Sequence, residues 1–97
     1  MAFGIVLAPE ALSDLRRLKA PVRAAERDAI GRHLRDEPEK ASRSRIKRLR
    51  GVSRPHYRLR VGDVRVFYDV NDGSVEVLAI VLKSEAASWL GQFGRAE

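Results

Sequence analysis

The chain has 97 residues, no cysteine and a formal net charge of +6. That length predicts one domain over residues 1–97 with a modest core, and an apolar fraction of 44% excludes a disordered chain. The missing cysteines exclude a disulfide framework and a thiolate metal site, and they suit a reducing compartment. The N-terminal apolar run Ile5-Val6-Leu7 is too short for a signal peptide, and no stretch approaches the roughly 20 apolar residues that span a bilayer. The expectation is a soluble, cytoplasmic protein with no membrane partner.

Phe3 to Leu7 predicts a short strand. Pro9 suits the first turn of a helix, where its missing N–H costs nothing, and Leu12, Leu15 and Leu18 follow at helical spacing. Ala20-Pro21 breaks that helix and begins a second, with Val22, Ala25, Ala29, Ile30 and Leu34 on one face until Asp36-Glu37-Pro38 stops it. The pair reads as an αα-hairpin. Residues 38–44 read as a loop.

The period then changes to two. Tyr57, Leu59 and Val61 alternate with His56, Arg58 and Arg60, and Gly62-Asp63 is a hairpin turn signal. Val64, Val66, Tyr68 and Val70 alternate with Arg65, Phe67 and Asp69 before a second turn at Asn71-Asp72-Gly73. Val75 to Leu82 is nearly continuous in apolar residues, as expected of a strand buried on both faces. Ser84 is a candidate N-cap for a last helix whose apolar stripe is Trp89, Leu90 and Phe93. The predicted class is α+β: an N-terminal strand and an αα-hairpin packed on a small, mainly antiparallel sheet. The order is β-α-α-β-β-β, with a short C-terminal helix.

Charge is unevenly placed along this order. Residues 1–42 carry eight Lys/Arg and seven Asp/Glu. Residues 43–65 carry nine basic residues against Asp63 alone, and residues 66–97 carry two basic and five acidic. Such a concentration is the footprint of a polyanion-binding face. Residues two apart on a strand share a face, so Arg58 and Arg60 project together; Arg65, on the next strand, joins them if the apolar partners of both strands face the helices. In water, guanidinium groups about 5 Å apart repel by under about 1 kcal/mol per pair, which a fold tolerates but gains nothing from without an anion.

Arg45, Lys47, Arg48 and Arg50 lead into this strand and are candidate phosphate contacts, although such runs are often only solvated. His56 is a candidate contact to a base or phosphate, or simply a surface histidine. Phe67 lies by parity on the arginine face, where it either stacks on a base or packs under the C-terminal segment. Lys83 ends the last strand beside a helix start that favours anions, and is a candidate proton carrier. No metal-ligand spacing, glycine-rich phosphate loop or serine-nucleophile elbow is present, so no cofactor or metal is expected.

The segment Lys47-Arg48-Leu49-Arg50-Gly51, the string YRLRVGDVRVFYDV from Tyr57 to Val70, the helix from Pro9 to Leu18 and the run from Val75 to Val81 together resemble the RelE/ParE toxin superfamily. The resemblance spans nearly the whole chain. It implies the toxin of a type II toxin–antitoxin system. Members with RelE activity cut mRNA in the ribosomal A site without metal, the RNA 2′-hydroxyl attacking the adjacent phosphate. It further implies that Arg58, Arg60, Arg65 and Lys83 stand at the family's cationic site positions. It implies as well a cognate antitoxin that folds onto the toxin and sets the oligomeric state.

Two departures stand out. The best-known RelE-type sites have lysines where Arg58 and Arg60 stand, and arginine is a poor base because it stays protonated. Those sites also carry a tyrosine in the last helix, where this chain has Ala86-Ala87-Ser88-Trp89-Leu90. The alternatives are a ParE-like inhibitor of DNA gyrase and a non-catalytic RNA-binding module.

Overall fold

The structure, a computed structural model, describes residues 2–97. In chain order the elements are β1 (Gly4–Leu7), α1 (Pro9–Arg17), α2 (Ala20–Leu34), β2 (Ile46–Arg48), β3 (Val52–Arg54), β4 (Tyr57–Val61), β5 (Val64–Asn71), β6 (Ser74–Leu82), α3 (Lys83–Phe93) and β7 (Arg95–Ala96). The predicted α+β class and order of elements are borne out. β2, β3 and β7 are short additions that no sequence period announced.

Five strands form one sheet in the order β1-β6-β5-β4-β2, with β1 parallel to β6 and every other pair antiparallel; β3 and β7 make a separate two-stranded pair. The β4–β5 and β5–β6 hairpins turn through Gly62 and Gly73, both with positive φ (57° and 70°), a conformation that costs a side-chain-bearing residue energy and glycine none.

α1 begins on Pro9, carries Glu10 in its first turn and Arg16 and Arg17 in its last, each charge complementing the helix dipole. Ala11 and Leu15, one turn apart, are its buried residues. They meet Ile30 and Leu34 of α2 and the sheet residues Leu59, Val66, Tyr68, Val75, Val77 and Ile80 in one hydrophobic cluster. Tyr57 and Tyr68, paired across β4 and β5, stack in this layer, and the fully buried Tyr68 hydroxyl donates 2.6 Å to the Pro38 carbonyl. Past the end of β1, the edge of β6 needs another partner, and the Asp14 carboxylate accepts from the Ile80 amide at 3.0 Å.

Three local expectations are corrected. The N-cap of α3 is Leu82, not Ser84, so the helix starts at Lys83, and no side chain caps it. Lys83 is therefore the first residue of the helix rather than the last of the strand. The strand buried on both faces is β5, not β6. β6 alternates in burial up to Ala79, and a bulge between the Phe67–Ala79 and Tyr68–Val77 pairs interrupts its alternation of faces, which lets Val77 and Ile80, three apart, both face the core. Finally, Phe3 lies outside β1, its amide donating to the Arg35 carbonyl at 2.6 Å.

Candidate nucleic-acid interface

The face of the sheet turned away from α1 and α2 is set by strand register. Lys47 lies opposite Arg58, Arg58 opposite Phe67, and Arg60 opposite Arg65. Directly opposed residues share a face, so Lys47, Arg58, Arg60, Arg65 and Phe67 all project on this side. Lys83 joins the same end of the sheet: its amide donates 2.7 Å to the carbonyl of Asp63, in the turn that Arg60 and Arg65 flank.

The side chains are not equivalent. Arg60 and Lys47 are exposed and Arg58 is half-buried. The Arg58 Nε is shielded from solvent and has no hydrogen-bond partner. Burial first, then the neighbouring Arg65 and Arg60 charges, pull the Arg58 guanidinium below its ordinary pKa, although an arginine so shifted still holds its proton at neutral pH. A buried cationic donor without an acceptor is costly, and an anion relieves it. Arg65 is only 7% exposed. Its Nη1 donates to the carbonyls of Gly62 (2.9 Å) and Val64 (3.1 Å), so this arginine also braces the turn below it.

Phe67 does not offer itself to a base. It is 1% exposed, and the Trp89 ring of α3 lies on it nearly parallel, 4.9 Å between centroids and 7° between planes. The expected RNA contact at Phe67 is replaced by an internal stack, because α3 folds back over β5 and β6 and is held at its far end by the β3–β7 pair.

The basic run before β4 is split. Lys47 faces the arginines, but Arg48 lies opposite Tyr57 on the other face. There its guanidinium sits 5.4 Å from the Tyr57 ring centroid, and its Nη1 donates 2.8 Å to the His56 carbonyl. Arg45 is exposed near α2, where it and Arg32 add to burial in lowering the His33 pKa, opposed by Asp28. Arg50 is exposed in the turn after β2 and lines a shallow hollow with Arg48 and Glu97. Arg45 and Arg48 are thus not brought into the arginine face, whereas the hollow at Arg50 is lined by both Lys47 and Arg48.

His56 is likewise committed. Its amide donates to Asp69 Oδ1 at 2.8 Å, and its Nδ1 accepts from the Val70 amide at 3.1 Å. An Nδ1 that accepts carries no proton, so the 3.6 Å approach of Nδ1 to Asp69 is not an ion pair and the ring proton sits on Nε2. Asp69 in turn pairs with Arg54 Nε at 3.0 Å, and Arg54 reaches Glu76 at 3.2 Å. Sequence reasoning missed this network. The available signal was parity: Asp69 alternates onto the same face as Arg65 and Phe67, and a buried carboxylate there demands a cation.

The sheet order, the helical hairpin behind it and the cationic front define a RelE-like toxin fold. The sequence model of the family described as the ParE toxin of type II toxin–antitoxin systems, parDE, matches residues 5–87. The chain belongs to this family, within the RelE/ParE superfamily, and is the toxin of a type II toxin–antitoxin system. Its fold is similar to that of Escherichia coli RelE in the free state, solved as a mutant, at a TM-score of 0.70 and 24% identity, covering 94% of this chain and 93% of that one. It is similar as well to the RelBE2 toxin–antitoxin complex of Mycobacterium tuberculosis (TM-score 0.70, 23% identity, 84% and 92% covered). A chain of the RelB–RelE complex of Methanococcus jannaschii is a third structure of similar fold (TM-score 0.67, 18% identity, 87% and 96% covered). No curated protein sequence matches this chain. No helix among the described residues is long and apolar enough to cross a membrane.

Proposed function

We propose that this toxin is a ribosome-dependent mRNA endonuclease, acting in the cytoplasm and held in check by a cognate antitoxin that sets its oligomeric state. The carrying observation is the register that puts Lys47, Arg58, Arg60 and Arg65 on one face, with a shielded Arg58 Nε lacking an acceptor. An RNA phosphate supplies that acceptor. The fold relatives solved with RelB support the antitoxin partner.

In the reaction, the RNA 2′-hydroxyl oxygen attacks the adjacent phosphorus and the bond to the 5′ oxygen breaks, leaving a cyclic phosphate and a 5′-hydroxyl. Arg58 and Arg60 hold the phosphate oxygens and offset the charge that builds on them; Arg65 adds its charge from below while fixing the turn. Arginine does not take the 2′-hydroxyl proton, so Arg58 and Arg60 act as electrostatic groups. Lys83, fixed to the Asp63 turn through its backbone, is the candidate proton carrier.

The test is induced expression with mapping of mRNA 5′ ends. Wild type produces cuts within A-site codons; Arg60→Ala, altering an exposed side chain, keeps the fold and loses them. Equal cutting by both removes Arg60 from the mechanism. One observation favours a second reading, inhibition of DNA gyrase: the matching family model is that of ParE toxins. Growth arrest with DNA damage and uncut mRNA would select it.

A further inference from the structure

α3 divides the open side of the molecule into two unlike concavities. On its β4 side lies the arginine face. On its other side a groove of about 930 Å³ runs between α1 and α3. Its apolar surface comes from Pro9, Leu78, Val81, Trp89 and Phe93. Phe93 is 58% exposed, the most exposed large apolar residue among those described, and its ring leans on Trp89 at 5.6 Å. α3 itself buries no residue fully, which leaves an amphipathic helix with its apolar side incompletely covered.

The groove's charges differ from those of the rest of this basic chain. Arg17 is spent on Asp14, and Arg54 on Asp69 and Glu76. Glu10 and Glu85, both exposed on the rim, have no ion-pair partner among the described residues, and only Arg95 offsets them. Each carboxylate sits in the first turn of its helix, where a negative charge complements the helix dipole. The charge left unpaired on the rim is therefore acidic, and it suits apolar side chains flanked by cations.

We propose that this groove binds a cationic amphipathic helix of a partner protein, with its apolar residues on Trp89 and Phe93 and its Lys or Arg side chains paired to Glu10 and Glu85. The occupant sits on the opposite side of α3 from Arg58 and Arg60, so it does not compete with RNA. The inference stands apart from the ribonuclease reading.

Trp89 is the only tryptophan in the chain, so its fluorescence reports the groove directly. The probe is a synthetic helical peptide of leucine and lysine, with a leucine–glutamate peptide of the same pattern as its counterpart. The lysine peptide is expected to shift Trp89 emission to the blue and shield it from acrylamide. Reversing the rim with Glu10→Lys and Glu85→Lys is expected to weaken binding roughly tenfold, from two exposed pairs turned repulsive. Phe93→Ser, at an exposed position that the fold does not need, weakens it with the rim charges intact. Equal binding of the glutamate peptide, undiminished binding by both variants, or displacement of the lysine peptide by single-stranded RNA overturns the proposal. Loss of mRNA cutting in Arg60→Ala bears on the other site alone, so the two readings fail separately.

Discussion

The arginine face makes a quantitative claim about salt. Lys47, Arg58, Arg60 and Arg65 share one side of the sheet, and each phosphate they neutralise releases condensed counterions. For single strands the slope of log affinity against log salt is about −0.7 per phosphate, so four contacts give roughly −2.8. Between about 50 and 200 mM salt that is a loss of roughly 50-fold. Replacing Arg58 and Arg60 together by Gln leaves two cations, a slope of roughly −1.4 and a loss of about sevenfold over the same range. Fluorescence anisotropy with a short labelled oligouridine, read at several salt concentrations, measures both slopes. Arg32→Gln is the control: this arginine is exposed on α2, in the opposite layer, and paired with Asp28. The reasoning is refuted if the double variant keeps the wild-type slope, or if Arg32→Gln lowers it equally.

Two stability effects follow from the core layer. Glu26 is 2% exposed on α2, its Oε1 has no partner, and burial pushes its carboxyl from 4.5 up to about 7. The folded state thus keeps a proton that the unfolded chain loses. The contribution of Glu26 to stability is full below pH 4.5, falls as pH rises through about 7, and levels off about 3 kcal/mol lower. Glu26→Gln flattens this fall in urea melts at a series of pH values, whereas parallel curves for the two proteins would contradict it. Tyr68→Phe leaves the Pro38 carbonyl without its donor and is expected to cost about 1–2 kcal/mol in the same melts, with RNA affinity unchanged.

Legibility in the sequence followed the range of the interaction. The αα-hairpin was legible because Pro9 and Pro21 punctuate its two helices and Leu12, Leu15 and Leu18, then Ala29, Ile30 and Leu34, recur at helical spacing, although Ala11 rather than Leu12 is buried in α1, and Val22 and Ala25 are exposed while Glu26 is buried in α2. The shared face of Arg58, Arg60 and Arg65 was legible because parity within a strand and a two-residue turn at Gly62-Asp63 fix cross-strand register. The bulge opposite Phe67 and Tyr68 was not legible. The run from Val75 to Leu82, broken only by Glu76, is apolar without a break from Val77 onward and fits either parity there, and only packing decides that Val77 and Ile80 both face the core.

What covers a face is a separate question from what lies on it, and local pattern answers only the second. Phe67 was placed on the arginine side by alternation, yet its role is decided by Trp89, more than twenty positions later, arriving from α3. His56 shares Phe67's parity and loses its freedom to Asp69 and Val70 for the same reason. The groove is a stronger case. Glu10 and Glu85 belong to opposite ends of the chain and become one rim only because β1 runs parallel to β6, which sets the start of α1 beside α3. A strip of cations is a property of one hairpin and survives in the sequence. An acidic rim built from two helices is a property of topology, and the same helix that forms it is the wall that keeps it apart from the arginines.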